Sequence, residues 1–404
     1  MTSGVLVLVE PGAHRPGGHR HRTLAALAQA HGCAVVVTPY GLIEETAAEL
    51  HAVGARPARP AGGGAVLLAA GAWLEAAAAG GRRALRRCPV WVRRVPHQVS
   101  LLARCLVEAA CVRAGHRAGG ADAVVVVLSA SEALHGVAGW LGGRHVRFVH
   151  EVVTTEDAPL RLVGALAGRG ARRVVALAPT EAVRAELAAR FPGLPVRARA
   201  FAVADSSDRL VEEDRQRARA AFGIPPGQTA VCLVGGWWPY KDLDVVDAAL
   251  HRLRVRLHLV VAGSPLDDRV LDRWRDLGHV RLHLVPGPFL ERQRREVYAA
   301  ADAAVVARRP GVGKESGLVT DAVQFGVPLL LSDHDPALTA LLAEQDWVRL
   351  FPAGDPGGLT AALSDLAGAR LPRPSLSAAS ALGVPTAAEQ AAFLTRIDLQ
   401  EMTR

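Results

Sequence analysis

Of the 47 lysine and arginine side chains in this sequence, only two are lysine: Lys241 in "GGWWPYKD" and Lys314 in "GVGKESGLVTD". An ammonium is a compact point charge, whereas a guanidinium is a planar fork. Both lysines are flanked by glycine, follow an apolar run ("TAVCLVGG", "AAVVARR") and precede a helical pattern. A helix starting near Ser316 would turn the N–H groups of Ser316, Gly317 and Leu318 toward Lys314, a set that suits one phosphate-sized anion. Glu315 has two readings there: a carboxylate that complements the helix dipole, or one that accepts hydroxyl donors. A third glycine-bearing stretch, "PGAHRPGGHRHR", follows the first apolar run and holds Gly17, Gly18, Arg20 and Arg22. It reads either as an anion site at a helix N-terminus or as an ordinary turn.

Other residue types carry weaker signals. His150 in "VRFVHEV" is either a satisfied histidine at a strand end or a reacting-centre group. Trp237 and Trp238 either stack on a ring or cover a sheet. The run "HRHR" at 19–22 has no metal-ligand spacing with a partner elsewhere and reads as a solvated loop, so no metal site is expected.

The elements that must carry these residues follow from pattern. Short apolar runs ("VLVLVE", "CAVVVTP", "AVLLAA", "AVVVVLSA", "VRFVHEV", "RVVALAP", then "TAVCLVGG", "RLHLVVAG", "VRLHLVPG", "AAVVARR", "VPLLLSD") alternate with helical stretches. Such runs are what a parallel sheet covered on both faces requires, and the alternation predicts a doubly wound α/β fold. The helix after Gly18 shows apolar positions 24, 27 and 28 on one face, and the helix after Lys314 stops at Gly326 before Pro328. A polar segment around 204–208 interrupts the rhythm and sets a boundary: residues 1–204, residues 205–385, and a terminal helix within 386–404 capped by Thr386, which would return to the first domain.

Composition bounds the rest. With 404 residues and 50% hydrophobic content the chain can bury large cores. The bias to Ala, Gly, Val, Leu and Arg is that of a high-GC genome, bacterial in type. The net charge of +8 admits acidic small molecules or an anionic membrane surface, while no nucleic-acid-reading motif appears. Five scattered cysteines without CxxC spacing read as reduced, buried thiols of a cytoplasmic protein. The N-terminal apolar run reads as a strand and not a signal peptide. The tract "AVLLAAGAWLEAAAAGG", interrupted by Glu75, is expected to fall short of the ~18 residues of a membrane span.

In order and spacing, "LVGGWWPYKDLDVVDAALHRL", "LHLVVAGSP", "VRLHLVPGPFLERQRREVYAAADAAVV" and "KESGLVTDAVQFGVPLLLSD" resemble the C-terminal domain of family-4 retaining glycosyltransferases of GT-B fold. The Gly-rich loop, "VRFVHEV" and "VVALAPTEAVRAELAARFPGLPV" resemble that family's acceptor domain. The resemblance implies two Rossmann-like domains facing a cleft, with no cofactor beyond the nucleotide-sugar donor. It implies that Lys241 contacts the donor diphosphate, that Gly17 and Gly18 approach it from the other domain, and that Ser316, Gly317 and Leu318 offer N–H groups. Glu315 would contact the sugar, Phe289 the nucleobase through its backbone, Asp321 the ribose, and His150 the reacting centre.

Two departures accompany the likeness. Gly236 stands where the family has arginine, with Lys314, Arg308 or Arg309 as substitutes, and Asp321 is closer to Glu315 than the family's second acid. The function implied is metal-independent sugar transfer to an acceptor hydroxyl with retention. The alternatives are a non-catalytic nucleotide-sugar-binding partner, or a hydrolase or epimerase of the same fold. Peripheral contact with a membrane stays open.

Overall fold

The computed structural model describes residues 4–16, 20–131, 133–150, 171–204, 209–312, 317–375 and 377–397. In chain order its elements are β1 (Leu6–Val9), α1 (Arg20–His31), β2 (Val35–Val37), α2 (Glu44–Ala52), β3 (Arg56–Ala58), α3 (Gly63–Ala84), α4 (Val90–Arg93), α5 (Val95–Gly119), β4 (Val124–Val127), α6 (His135–Gly142), β5 (His145–Phe148), β6 (Val174–Ala178), α7 (Glu181–Arg190) and β7 (Val196–Ala198). There follow α8 (Glu212–Ala221), β8 (Ala230–Val234), α9 (Leu243–Arg252), β9 (Leu257–Gly263), α10 (Asp268–Arg275), β10 (Val280–Pro286), α11 (Glu291–Ala300), β11 (Ala303–Val306), α12 (Gly317–Phe325), β12 (Leu329–Ser332), α13 (Pro336–Leu342), β13 (Val348–Phe351), α14 (Pro356–Gly368), α15 (Ala378–Ala381) and α16 (Ala387–Thr395). The chain divides into two compact units, Met1–Val203 with Pro385–Arg404, and Ala204–Val384.

In the first unit seven parallel strands pair in the order β3-β2-β1-β4-β5-β6-β7. Strands β1, β2 and β4 are unbroken Leu and Val and are buried on both faces, as a covered parallel sheet demands. Leu6 and Leu8 pack under Leu24 and Leu27 of α1 and Leu394 of α16; Val7 and Val9 turn the other way, toward Cys111 and Val112 of α5. Thr386 caps α16 by accepting the Glu389 N–H at 3.2 Å, and the Glu389 carboxylate accepts the Thr386 N–H at 2.8 Å. Gln390 then fixes the helix by donating to the Ala200 carbonyl and accepting from Arg199.

In the second unit six parallel strands pair in the order β10-β9-β8-β11-β12-β13. Its core joins Val231 and Leu233 to Leu259, Val261, Trp274 and Leu330. Asp302, just ahead of β11, is buried and holds Arg215 at 2.9 Å and Arg219 at 3.3 Å, which ties α8 to the sheet.

Four expectations need correction. The run "AVLLAA" is not a strand: it opens the 22-residue α3, because its apolar character continues through an alanine-rich stretch far longer than a strand. That helix is also long and apolar enough, by length and composition, to cross a membrane. Of the cysteines, Cys33 is exposed and Cys88 half-buried; Cys105, Cys111 and Cys232 are buried. Of the run "HRHR", Arg20, His21 and Arg22 open α1 and do not form a solvated loop, while His19 lies outside the described residues. His21 is buried there, donating to the Arg15 carbonyl at 2.8 Å and accepting from Thr46 at 3.0 Å.

A buried charge cluster braces the first sheet. The Glu108 carboxylate of α5 lies 2.7 Å from the Arg147 guanidinium of β5 and accepts from both the N–H and the hydroxyl of Ser131. Burial alone would raise the Glu108 carboxyl, but Arg147 and His145 overcome it and hold the group well below the usual carboxylate range. A depressed carboxyl stabilises the fold fully above about pH 4.3 and loses that contribution as the pH falls toward its folded value. Replacing Arg147 by methionine strands Glu108 as a buried charge, and the expected loss is about 3–5 kcal/mol. Chemical denaturation measures it, and a loss below about 1 kcal/mol would show that the pair is not what braces the sheet.

Candidate functional site

A doubly wound sheet has one place where neighbouring strands send their connections to opposite faces, and ligands bind at the C-terminal strand ends there. The first unit has this reversal between β1 and β4, the second between β8 and β11. Each reversal opens a pocket, and the polar residues of interest gather at both.

At the β8–β11 reversal the pocket is lined by Gly235, Lys241, Val306, Arg308 and Leu318. The loop after β8 is zipped onto the continuation of β11: Lys241 and Arg308 form an antiparallel bridge, Asp242 N–H donates to the Ala307 carbonyl, and Arg309 N–H to the Tyr240 carbonyl. Asp242 then caps α9 by accepting the Val245 N–H. This lattice leaves the Lys241 ammonium donating to the Val234 carbonyl at 2.7 Å, with the buried Arg308 beside it. Burial, reinforced by the Arg308 charge, pushes the Lys241 ammonium down to about 7. Two like charges share a recess, and an anion is the ligand that relieves both.

Three glycines at the ends of β8, β9 and β10 are required by space. A Cβ on Gly236 would lie 2.2 Å from the Ser264 carbonyl oxygen, so no arginine fits where the family pattern places one. A Cβ on Gly263, whose φ is +150°, would sit 2.5 Å from the Gly235 carbonyl carbon, and one on Gly287 would be 2.9 Å from Gly263. Of the proposed substitutes for the missing arginine, Arg308 lines the pocket, whereas Arg309 turns outward to Asp244 at 3.1 Å.

At the β1–β4 reversal lies a cavity of about 390 Å³ lined by Arg15, Arg20, Tyr40, Ser129 and His150 among others. The His150 ring donates through Nε2 to the Leu128 carbonyl at 3.0 Å and stands edge-on to Phe201. Burial lowers its pKa, so the ring is neutral near pH 7 with Nδ1 as its acceptor atom. Beside it, Glu10 closes β1, fully buried, accepting from the Gly12 N–H and the Ser129 hydroxyl at 2.8 Å each. Burial raises the Glu10 carboxyl above its ordinary value, with Arg20 opposing the rise. Glu10 was missed at the level of sequence; its signal is an acid joined directly to an unbroken apolar strand.

The remaining predicted residues are dispersed. Gly17, Gly18, Lys314, Glu315 and Ser316 lie outside the described residues. Gly317 opens α12 and Leu318 reaches the Lys241 pocket. Phe289 is half-buried in the connection after β10. Asp321 is buried, and its carboxylate meets Arg294 of α11 at 3.0 Å, which puts it in the packing between α11 and α12. Trp237 packs on the second core against Trp274, and Trp238 is exposed. Among the described residues no group of three or more His, Cys, Asp or Glu side chains is arranged to hold a metal ion.

Residues 228–368 match the family model described as Glycosyl transferases group 1. No curated protein matches the chain. Among solved structures, Anabaena HepE in complex with UDP and glucose superposes with a TM-score of 0.60 at 15% identity, covering 99% of this chain and 97% of that one. A glycosyltransferase from Rickettsia africae does so with 0.59 at 11% identity, covering 100% and 97%. WaaG, a glycosyltransferase involved in lipopolysaccharide biosynthesis, does so with 0.55 at 14% identity, covering 99% and 97%. The two parallel sheets with alternating helices are the two-domain α/β fold of these structures, GT-B.

The lowered Lys241 ammonium yields a linkage prediction. A diphosphate bound against it restores the ordinary lysine value, so binding takes up protons in the window between pH 7 and the ordinary lysine range, and affinity falls as pH rises through that window. Calorimetry with a nucleoside diphosphate at pH 8, in two buffers of different ionisation heat, is expected to show uptake approaching about one proton. Lys241→Met abolishes it; no uptake by the parent protein would take Lys241 out of the anion site.

Proposed function

We propose that the protein transfers a sugar from a nucleoside-diphosphate sugar to an acceptor hydroxyl, with retention and without a bound metal. The observation that carries this reading is the pairing of Lys241 with Arg308 at the strand reversal of the second sheet, inside the stretch that matches the group 1 family. Nucleotides bound in HepE, a protein of the same fold, support the donor class. The leaving diphosphate gains negative charge as the glycosidic bond breaks, and preorganised cations stabilise that charge more than they stabilise the bound donor. Lys241 and Arg308 serve this role, joined by Lys314 and by the N–H groups of Ser316, Gly317 and Leu318.

With retention, the acceptor oxygen approaches the face that the diphosphate leaves, and a phosphate oxygen receives the acceptor's proton. No protein base is needed, which agrees with His150: its Nε2 proton is engaged by the Leu128 carbonyl and its ring is neutral. In this reading His150 serves positioning and electrostatics at the reacting centre and takes no proton. The cavity at the β1–β4 reversal takes the acceptor, and Glu315 contacts the transferred sugar. The glycine at 236 favours one rival, a non-catalytic protein that binds nucleotide sugars.

Titration with UDP-, GDP-, TDP- and ADP-sugars tests the donor site. One nucleotide class binds, and Lys241→Ala weakens it by about 1.5–3 kcal/mol, or about 10- to 150-fold in Kd. Glu315→Gln is expected to reduce sugar transfer more than nucleotide binding. Tight binding without turnover across acceptors would favour the non-catalytic rival, sugar release without any acceptor would favour a hydrolase, and no binding at all would overturn the proposal.

A further inference from the structure

Helix α3 has two unlike faces. Its inner face is made of small residues seven apart, Gly64, Gly71 and Ala78, the three that are buried. They let α5 approach closely: a Cβ on Gly71 would stand 2.9 Å from the Ala103 carbonyl oxygen, and one on Gly64 would stand 3.2 Å from that of Ala110. Glu75, the helix's acid, is turned to the same side, where it accepts from Ser100 at 2.5 Å and from Arg82 at 3.1 Å. The outer face therefore carries no charge over its first five turns. It exposes Val66 at 69% and Trp73 at 70%, with Ala69, Ala70, Ala76 and Ala77 between and beyond them.

The chain then changes character abruptly. From 76 to 107 it contains seven arginines and no acid. Arg82, Arg83, Arg86, Arg87, Arg93 and Arg94 are all exposed, and Val95 adds an exposed apolar side chain among them. An apolar strip with a tryptophan at its middle, ending in a dense basic collar, has the two signals that reversible attachment to a bilayer needs: apolar area to bury and cations to meet anionic headgroups.

We propose that the outer face of α3 and the arginines of 82–94 dock this protein on an anionic lipid surface, with α3 lying in the plane of the interface. The length of α3 would suffice to span, but the close seat of Gly64 and Gly71 on α5 holds it flat against the unit, and dragging α5 and the sheet beneath it into hydrocarbon would strand their connecting loops. Charge complementarity selects the occupant. A second copy of the chain would set arginine collar against arginine collar, and a nucleic acid would leave the apolar strip without a partner.

Sedimentation with vesicles of phosphatidylcholine alone, and of phosphatidylcholine with phosphatidylglycerol, tests the proposal on the whole protein. Binding to the anionic vesicles is expected, at least about tenfold tighter than to the neutral ones and weakened by salt. Trp73→Glu, and separately the combined Arg83→Gln, Arg86→Gln and Arg87→Gln, each reduce it about tenfold or more. Both variants are expected to keep the parent's thermal midpoint and nucleotide binding, since all four side chains are exposed. Vesicle binding that either variant leaves intact overturns the proposal. So does a solution dimer that Trp73→Glu separates, or binding to a random-sequence DNA duplex with vesicles ignored.

Discussion

Both candidate pockets among the described residues depend on one topological constraint: in each sheet the strand order reverses once, and ligands find room at the ends of the two strands that part there. Between β1 and β4, and again between β8 and β11, connections depart to opposite faces. Ser129, after β4, and His150, after β5, line the pocket in one unit, and Lys241 and Arg308 line it in the other. The helices and cores hold those strand ends still.

Buried charge is used in two ways. Glu108 with Arg147, Asp302 with Arg215 and Arg219, and Asp321 with Arg294 are opposite charges brought within hydrogen-bond reach. Such groups fasten one element to another, and their cost appears when one partner is removed. Lys241 and Arg308 are the contrary case, like charges set side by side by a backbone bridge at a pocket. The fold spends stability on that arrangement, and the depressed Lys241 ammonium is its sign.

Much of this was legible in the sequence. Unbroken Val and Leu runs marked β1, β2 and β4, largely apolar runs marked β8 and β12, and Thr386 announced the cap of α16. Gly326, with its φ of +72°, ends α12 as its position before Pro328 suggested. The scarcity of lysine pointed to Lys241 because composition made the exception visible. What failed has physical causes. "AVLLAA" looks like a strand over six residues and is a helix only by virtue of the alanines that follow. The short strands β3, β7 and β13 hold Pro or Arg and are ordered by their neighbours, not by propensity. Glu10 and the inward turn of Glu75 depend on contacts made across 119 and 25 residues, with Ser129 and Ser100, which no local pattern encodes.

The glycines at the ends of β8, β9 and β10 bear on how such a recess changes over time. Gly236, Gly263 and Gly287 pack backbone against backbone with no space for a Cβ. There main chain meets main chain, so the joins between these strand ends stay the same whatever side chains surround them. Drift in the neighbouring loops then leaves the spacing of these strand ends undisturbed. The first substitution to matter there would add a single methyl group and lift one strand end away from the next.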